Sequence, residues 1–385
     1  MKIVVAPQSF KGSLNAQRVA EAMATGTRRV LPDAELVLLP MADGGEGTVE
    51  ALVQGTGGRF IVTEVTGPLG DRVAAQWGLL GDGATAAIEM AAASGITLVP
   101  SERLNPLLAS TYGTGELVRA ALDAGCRKLI VGLGGSATND GGAGMAQALG
   151  LRLPDDRGKE IGRGGAELAR LAKIDYSGLD PRLCGCNVVC ATDVTNPLCG
   201  PRGASWVYGP QKGATPAMCQ QLDEALANYA QVIKQDLGID VRDVPGAGAA
   251  GGMGAGLLAF LGAKTVSGIE VVSDALKLAH HLEGASLVIT GEGRLDAQTS
   301  YGKTVAGVAA RAKALGVPVV AIAGEVVGSQ EQLQQAGISA ALSIARGPIS
   351  LKDSMARAGE LIAEAAEVAV RLILTKPKDW PKPTT

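Results

Sequence analysis

The chain has few aromatic rings and almost no histidine. Of its 385 residues, three are Trp, five Tyr, three Phe and two His. It also lacks an excess of positive charge: 35 basic residues face 38 acidic ones, for a net charge of −3. Nucleic-acid binding needs a basic face and stacking rings, so no nucleic-acid partner is expected. His280 and His281 are the only imidazoles and sit together in the helix-like run SDALKLAHHLEGA. They suit the negative end of a helix dipole, and no histidine-centred mechanism is expected. The start, MKIVVAPQSF, reads as a strand and a turn. It has no apolar h-region or small-residue cleavage site of a secretory signal, and a cytoplasmic protein is expected.

Long apolar runs are nearly absent. Residues 246–263, GAGAAGGMGAGLLAFLGA, form an uncharged stretch of spanning length with Gly248, Gly252 and Gly256 at GxxxG spacing. Seven of these 18 residues are Gly and six are Ala, so the drive into a bilayer is weak. The run reads as a glycine-rich turn feeding a buried helix, and no membrane partner is expected. The six cysteines (Cys126, Cys184, Cys186, Cys190, Cys199 and Cys219) lack the paired spacing and extra Cys or His partners of a zinc site. They read as small apolar side chains of a reduced protein.

Glycine is abundant instead, at 54 of 385 residues, roughly twice the usual share. It clusters beside strands and helices, where backbone turns with positive φ or approaches a ligand closely. The ends of the chain alternate short apolar strands with amphipathic helices. KIVVAP, AELVLLP, SLVIT, PVVAIAG and AALSI are the strands; a long helix is expected from about Leu351 to Leu374. That alternation means a parallel sheet with helices on both faces. The middle differs. RVAAQWGLLGDGATAAIEM carries two apolar runs about a Gly-Asp-Gly turn, a hairpin signal. The fold class expected is α/β with two domains: a doubly wound domain of residues 1–67 plus 280–375, and a mixed α/β domain of residues 68–279 inserted in it. Residues 376–385 read as a flexible tail. Ligands are expected in the cleft, beside the carboxyl ends of strands.

The segment TGEGRLDAQTSYGKT (290–304) ends like a phosphate-binding P-loop, with Gly302, Lys303 and Thr304. The first glycine of G-x-x-x-x-G-K-[ST] should stand at 297, which is Ala297. The strand also stops 12 residues before Gly302, so the motif is not a P-loop. Other polar, glycine-rich segments follow strands too. PQSFKGSL offers Gln8, Ser9 and Lys11. MADGGEGT offers Asp43 and Glu46. GLGGSATNDGG offers Gly134, Gly135, Ser136, Thr138, Asn139 and Asp140. ATDVTNPL offers Asp193, YGPQKGA offers Lys212, and TGEGRLD offers Glu292, Arg294 and Asp296. Each alone is an ordinary turn or cap. Together, backbone anion cradles, lysines and carboxylates suited to Mg2+ or to proton abstraction point to phosphoryl transfer. A dehydrogenase is the rival, because GAGAAGG (246–252) matches G-x-G-x-x-G; the residues before it make a poor strand.

SFKGSL, ADGGEGT, GGSATNDGGAGMAQALG, DVTNPL, GPQKGA, PGAGAAGGMGAG and ITGEGRLD, taken together, resemble the bacterial glycerate kinase family over about residues 3 to 347. The resemblance implies ATP-dependent phosphorylation of D-glycerate to 2-phosphoglycerate with Mg2+. It also implies a flavodoxin-like layer and a second domain likened to restriction endonucleases. Its first motif usually reads A-P-D-S-[FY]-K, whereas this chain has APQSFK, with Gln8 in place of Asp. By residue type the expected roles are these: Gln8, Ser9, Lys11 and Arg294 bind glycerate, and Lys11 also serves catalysis. Asp193 is the first choice for the group that takes or orients the hydroxyl proton, and Asp296 the second. Asp43 and Glu292 hold Mg2+. Gly134, Gly135, Ser136, Thr138 and Asn139, with Gly302 and Lys303, receive ATP. The alternatives are a kinase for another hydroxy acid or for the 3-hydroxyl, or a binding protein impaired by Gln8. A monomer or homodimer is expected.

Overall fold

The computed structural model describes residues 1–296 and 303–374. Among them eleven strands form two sheets: β1 (Lys2–Val5), β2 (Glu35–Leu38), β3 (Arg59–Thr66), β4 (Arg72–Leu79), β5 (Thr85–Glu89), β6 (Lys128–Gly132), β7 (Asn187–Ala191), β8 (Lys264–Val266), β9 (Leu287–Asp296), β10 (Val319–Val327) and β11 (Ala340–Ser343). The chain divides into two compact units. One holds Met1–Ala42 and the described residues from Val272 onward; the other is Asp43–Val271. The sequence had put these divisions near residues 67 and 280. The helix Thr48–Thr56 and β3 account for the first difference. Val49 and Val53 of that helix lie over Gly78 of β4, and β3 pairs with β4 along eight residues, so both elements are bound into the second unit's core.

The first unit has a five-stranded sheet in the order β2-β1-β9-β10-β11, parallel throughout. Counted within the unit this is order 2-1-3-4-5, the flavodoxin-like winding. Its first helix, Ala16–Arg28, starts where the Asn15 side chain accepts the Arg18 N–H at 2.9 Å, which satisfies one of the orphan donors of a helix start. Val19 and Met23 of this helix share a core with Ile3, Val5, Leu287 and Ile289 of the strands and with Ile362 and Ala366 of the helix Ala358–Leu374. The long C-terminal helix expected from Leu351 is two helices, Leu351–Ala356 and Ala358–Leu374. β9 is longer than the strand SLVIT: its ladder with β10 continues to the pair Asp296–Val327. TGEGRLD is thus the end of a strand rather than the loop after it. The tail 376–385 lies outside the described residues.

The second unit has a six-stranded sheet, β3-β4-β5-β6-β7-β8. The first two pairings are antiparallel and the other three parallel. The hairpin forms at the Gly-Asp-Gly turn because Asp82 closes it, accepting the N–H groups of Ala84 and Thr85 and the Thr85 hydroxyl. Trp77, Ile88, Leu117, Leu129 and Met253 belong to one core; Leu226, Tyr229, Val232 and Ile233 of the helix Pro216–Leu237 belong to another. The glycine-rich run becomes the buried helix Ala249–Leu261, entered through three left-handed residues, 250–252. Among the described residues no helix is long and apolar enough to cross a membrane. All six cysteines are free thiols. Cys190, in β7, is pushed up to about 12 by burial, which makes it an inert packing residue.

Candidate active site

In the first unit the strand order sets β1 beside β9, from the pair Ile3–Leu287 to Val5–Ile289. β2 lies on one side of this pair and β10 on the other, so the winding reverses between them. Ligands of open α/β sheets sit at such a point, beyond the carboxyl ends of the strands. The loop after β1 follows the edge of β9: the Gln8 N–H donates to the Gly291 carbonyl at 2.8 Å. Phe10 is buried and anchors the loop. Gln8 and Ser9 are left half-buried and Lys11 exposed. On β9 the Glu292 side chain is buried, at 8% exposure. Arg294 is exposed and lies 3.6 Å from the Asp296 carboxylate and 3.5 Å from that of Glu325.

In the second unit, glycine turns meet at the carboxyl ends of the parallel strands. A Cβ on Gly134, just after β6, would lie 2.9 Å from the Gly45 Cα, closer than packed carbons allow. Gly268, just after β8, lies so close beneath the Asp43 carbonyl that a Cβ there would collide with it. The Gly268 N–H also donates to Asp193 Oδ1 at 3.3 Å. The Asp43 backbone carbonyl and the Asp193 carboxylate therefore flank one glycine. The Asp43 and Asp193 side chains supply hard oxygens of the kind that Mg2+ takes. Among the described residues no three His, Cys, Asp or Glu side chains form a ready metal cage.

The matches to known proteins run over nearly the whole chain. The model of the glycerate kinase family matches residues 3–374. The chain belongs to the glycerate kinase family. It is 53% identical over 378 residues to glycerate 2-kinase of Escherichia coli K12, covering 96% of this chain and 99% of that one. It is 52% identical to the glycerate kinase of Bacillus subtilis 168, covering 98% and 99%. A crystal structure from Salmonella typhimurium LT2, assigned as a glycerate kinase 2, is similar at a TM-score of 0.90 and 53% identity, covering 97% of this chain and 98% of that one. Membership of a kinase family makes the chain a phosphotransferase, with ATP as the co-substrate such a family implies.

Within this glycerate kinase the residues singled out in the sequence fall into two groups, one in each unit. Gln8, Ser9, Lys11, Glu292, Arg294 and Asp296 share one edge of the first sheet; Asp43, Gly134, Gly135 and Asp193 share one edge of the second. Ser136 is almost covered, at 7% exposure. Thr138 and Asn139 stand behind the turn with no exposure at all. The segment 297–302, with Gly302, lies outside the described residues, as does the side chain of Lys303 at the start of the helix Lys303–Ala314.

One supporting residue, Glu89, escaped the sequence reading, and a second, Asp140, was offered there without a role of its own. Glu89 Oε1 accepts the Val49 N–H at 2.9 Å and caps the helix Thr48–Thr56 from the end of β5. A signal existed, since Gly47 at that helix's start has no side chain to cap with. Asp140 is wholly buried and accepts the N–H groups of Thr111, Gly142 and Gly144 and the Thr111 hydroxyl. Burial still pushes its carboxyl upward.

Proposed function

We propose that the chain transfers the γ-phosphoryl group of ATP to the 2-hydroxyl of D-glycerate, giving 2-phosphoglycerate and ADP, with Mg2+ bound. The observation that carries this assignment is the pairing of β1 with β9, which sets a cationic loop and a carboxylate-bearing strand end at the ligand position of a flavodoxin-like sheet. The choice of the 2-hydroxyl is supported by the 53% identity to the Escherichia coli glycerate 2-kinase.

Lys11 and Ser9, with Gln8 and Arg294, hold the glycerate carboxylate, and Lys11 also neutralises charge during transfer. Asp193 takes the hydroxyl proton as that oxygen bonds to the γ-phosphorus and the bond to the ADP oxygen breaks. Asp296 is the second choice, since Arg294 already lies beside it. Gly134, Gly135 and Ser136 meet the ATP phosphates, with Thr138 and Asn139 behind them and Gly302 and Lys303 from the first unit. Asp43 and Glu292 would hold Mg2+, which neutralises phosphate charge when bound. The protein's work is positioning and charge neutralisation.

The test is ADP release with ATP, Mg2+ and D-glycerate, coupled to enolase without phosphoglycerate mutase. ADP together with phosphoenolpyruvate is expected. ADP without phosphoenolpyruvate would mean transfer to the 3-hydroxyl. If no ADP appears, the same assay on Gln8→Asp separates a chain disabled by Gln8 from one with a different substrate.

A further inference from the structure

A buried polar knot lies behind the turn Gly134–Ser136. Lys212 is wholly buried at the end of the short turn Pro210–Lys212. Its ammonium donates to the Thr138 carbonyl at 2.7 Å, its one hydrogen bond among the described residues. A buried ammonium with a single acceptor is costly, and an apolar side chain would fill the space more cheaply. The stretch it touches is pinned from other sides as well. Asn139 Nδ2 donates to Ser205 Oγ at 2.9 Å, and the Tyr229 hydroxyl donates to the Gly141 carbonyl at 2.8 Å. Opposite lie the left-handed residues Ala250, Gly251 and Gly252, and a Cβ on Gly251 would collide with the Thr138 carbonyl. Thr138 Oγ1 and Asn139 Oδ1 are buried without hydrogen-bond partners among the described residues. Unmet polar groups and a strained alanine persist where the surroundings over-determine the shape, commonly beside functional sites.

We propose that Lys212 is a positioning residue for nucleotide binding: its bond to the Thr138 carbonyl holds the Gly134–Ser136 turn in the shape that receives the phosphates of ATP. This rests on the reading of that turn as the phosphate cradle. Lys212 itself does not touch the nucleotide.

The test compares Lys212→Met, which keeps the shape but loses the donor, with Lys212→Gln, which keeps an N–H but loses the charge. Each is read by melting temperature, by titration with a fluorescent ATP analogue, and by KM for each substrate. Lys212→Met is expected to melt no lower than the parent, because an apolar replacement of a buried charge is often neutral or stabilising. It should weaken ATP binding about tenfold, the size of one lost hydrogen bond to a charged group, with KM for D-glycerate unchanged. Lys212→Gln should fall between the two, about threefold weaker. Gly135→Ala disturbs the turn directly and is the control. Weaker ATP binding in Gly135→Ala but not in Lys212→Met overturns the role of Lys212 and leaves the cradle standing. Unchanged ATP binding in both removes the cradle, and the proposal with it. If Lys212→Met does not fold, Lys212→Gln decides alone: ATP binding equal to the parent overturns the proposal.

Discussion

The two units present polar groups in opposite ways. In the first, candidate residues on the loop after β1 and at the end of β9 reach solvent, with Lys11 exposed and the Arg294 side chain keeping 61% of its surface, while Glu292 is buried. In the second, Thr138, Asn139 and Lys212 have no exposure, and the shape at the strand ends comes from glycine backbones in contact. Strand order, with the backbone bond from Gln8 to Gly291 and the buried Phe10, does the positioning in the first unit. In the second, a buried network fixes the backbone, so that geometry and stability are coupled there.

The sharpest test of that contrast is Asp193→Asn. It removes the proposed proton acceptor while keeping the oxygen that accepts from Gly268, and should lower kcat by about 100-fold or more with little change in melting temperature. Near-normal ADP release in this variant would take the role from Asp193. Next comes the pH dependence of stability. Burial holds the Lys212 ammonium down at about 7, against an ordinary 10.5, although the Asp140 carboxylate pulls it upward. Between about 7 and 10.5 the unfolded chain binds a proton that the folded chain does not. Stability should therefore rise with pH across that window, and its loss should be complete below about 7. Thermal melts of Lys212→Met should lack this rise; an identical rise in parent and variant would assign it to other groups.

Gly268→Ala should cost about 1–3 kcal/mol through overpacking against the Asp43 carbonyl, seen as a drop of several degrees in melting temperature. A variant as stable as the parent would show that the second unit's backbone contacts can relax. The smallest effect is expected in the first unit. Lys11→Met should raise KM for D-glycerate about tenfold, as for one lost charge-assisted hydrogen bond, without moving the melting temperature. A stability loss there would break the contrast between the units.

Much of the fold was legible because local signals agreed with one another. Alternating apolar strands and amphipathic helices gave the parallel sheet, and Gly81-Asp82-Gly83 gave the hairpin that Asp82 closes. Other features were hidden. The extension of β9 to Asp296 depends on its ladder with β10, which no local run of residues can announce. The break at Arg357 divides a helix whose sequence reads as continuous. In the site, the residue types were plain from the motifs, but their depth was not. Thr138 and Asn139 look like Ser136 in the sequence, and only packing against the stretch 250–252 and Ser205 shows that they lie behind the turn.

By itself the sequence determined the α/β class, the family and the set of glycine-rich segments from which a site could be built, because hydrophobic period and motif spacing are local properties of the chain. Tertiary structure alone decided that β9 lies beside β1 despite some 280 intervening residues, that Glu89 caps a helix from another strand, and that Lys212 is sealed against Thr138. Those outcomes depend on which distant surfaces exclude water together, and burial of that kind is a property of the whole fold rather than of any segment.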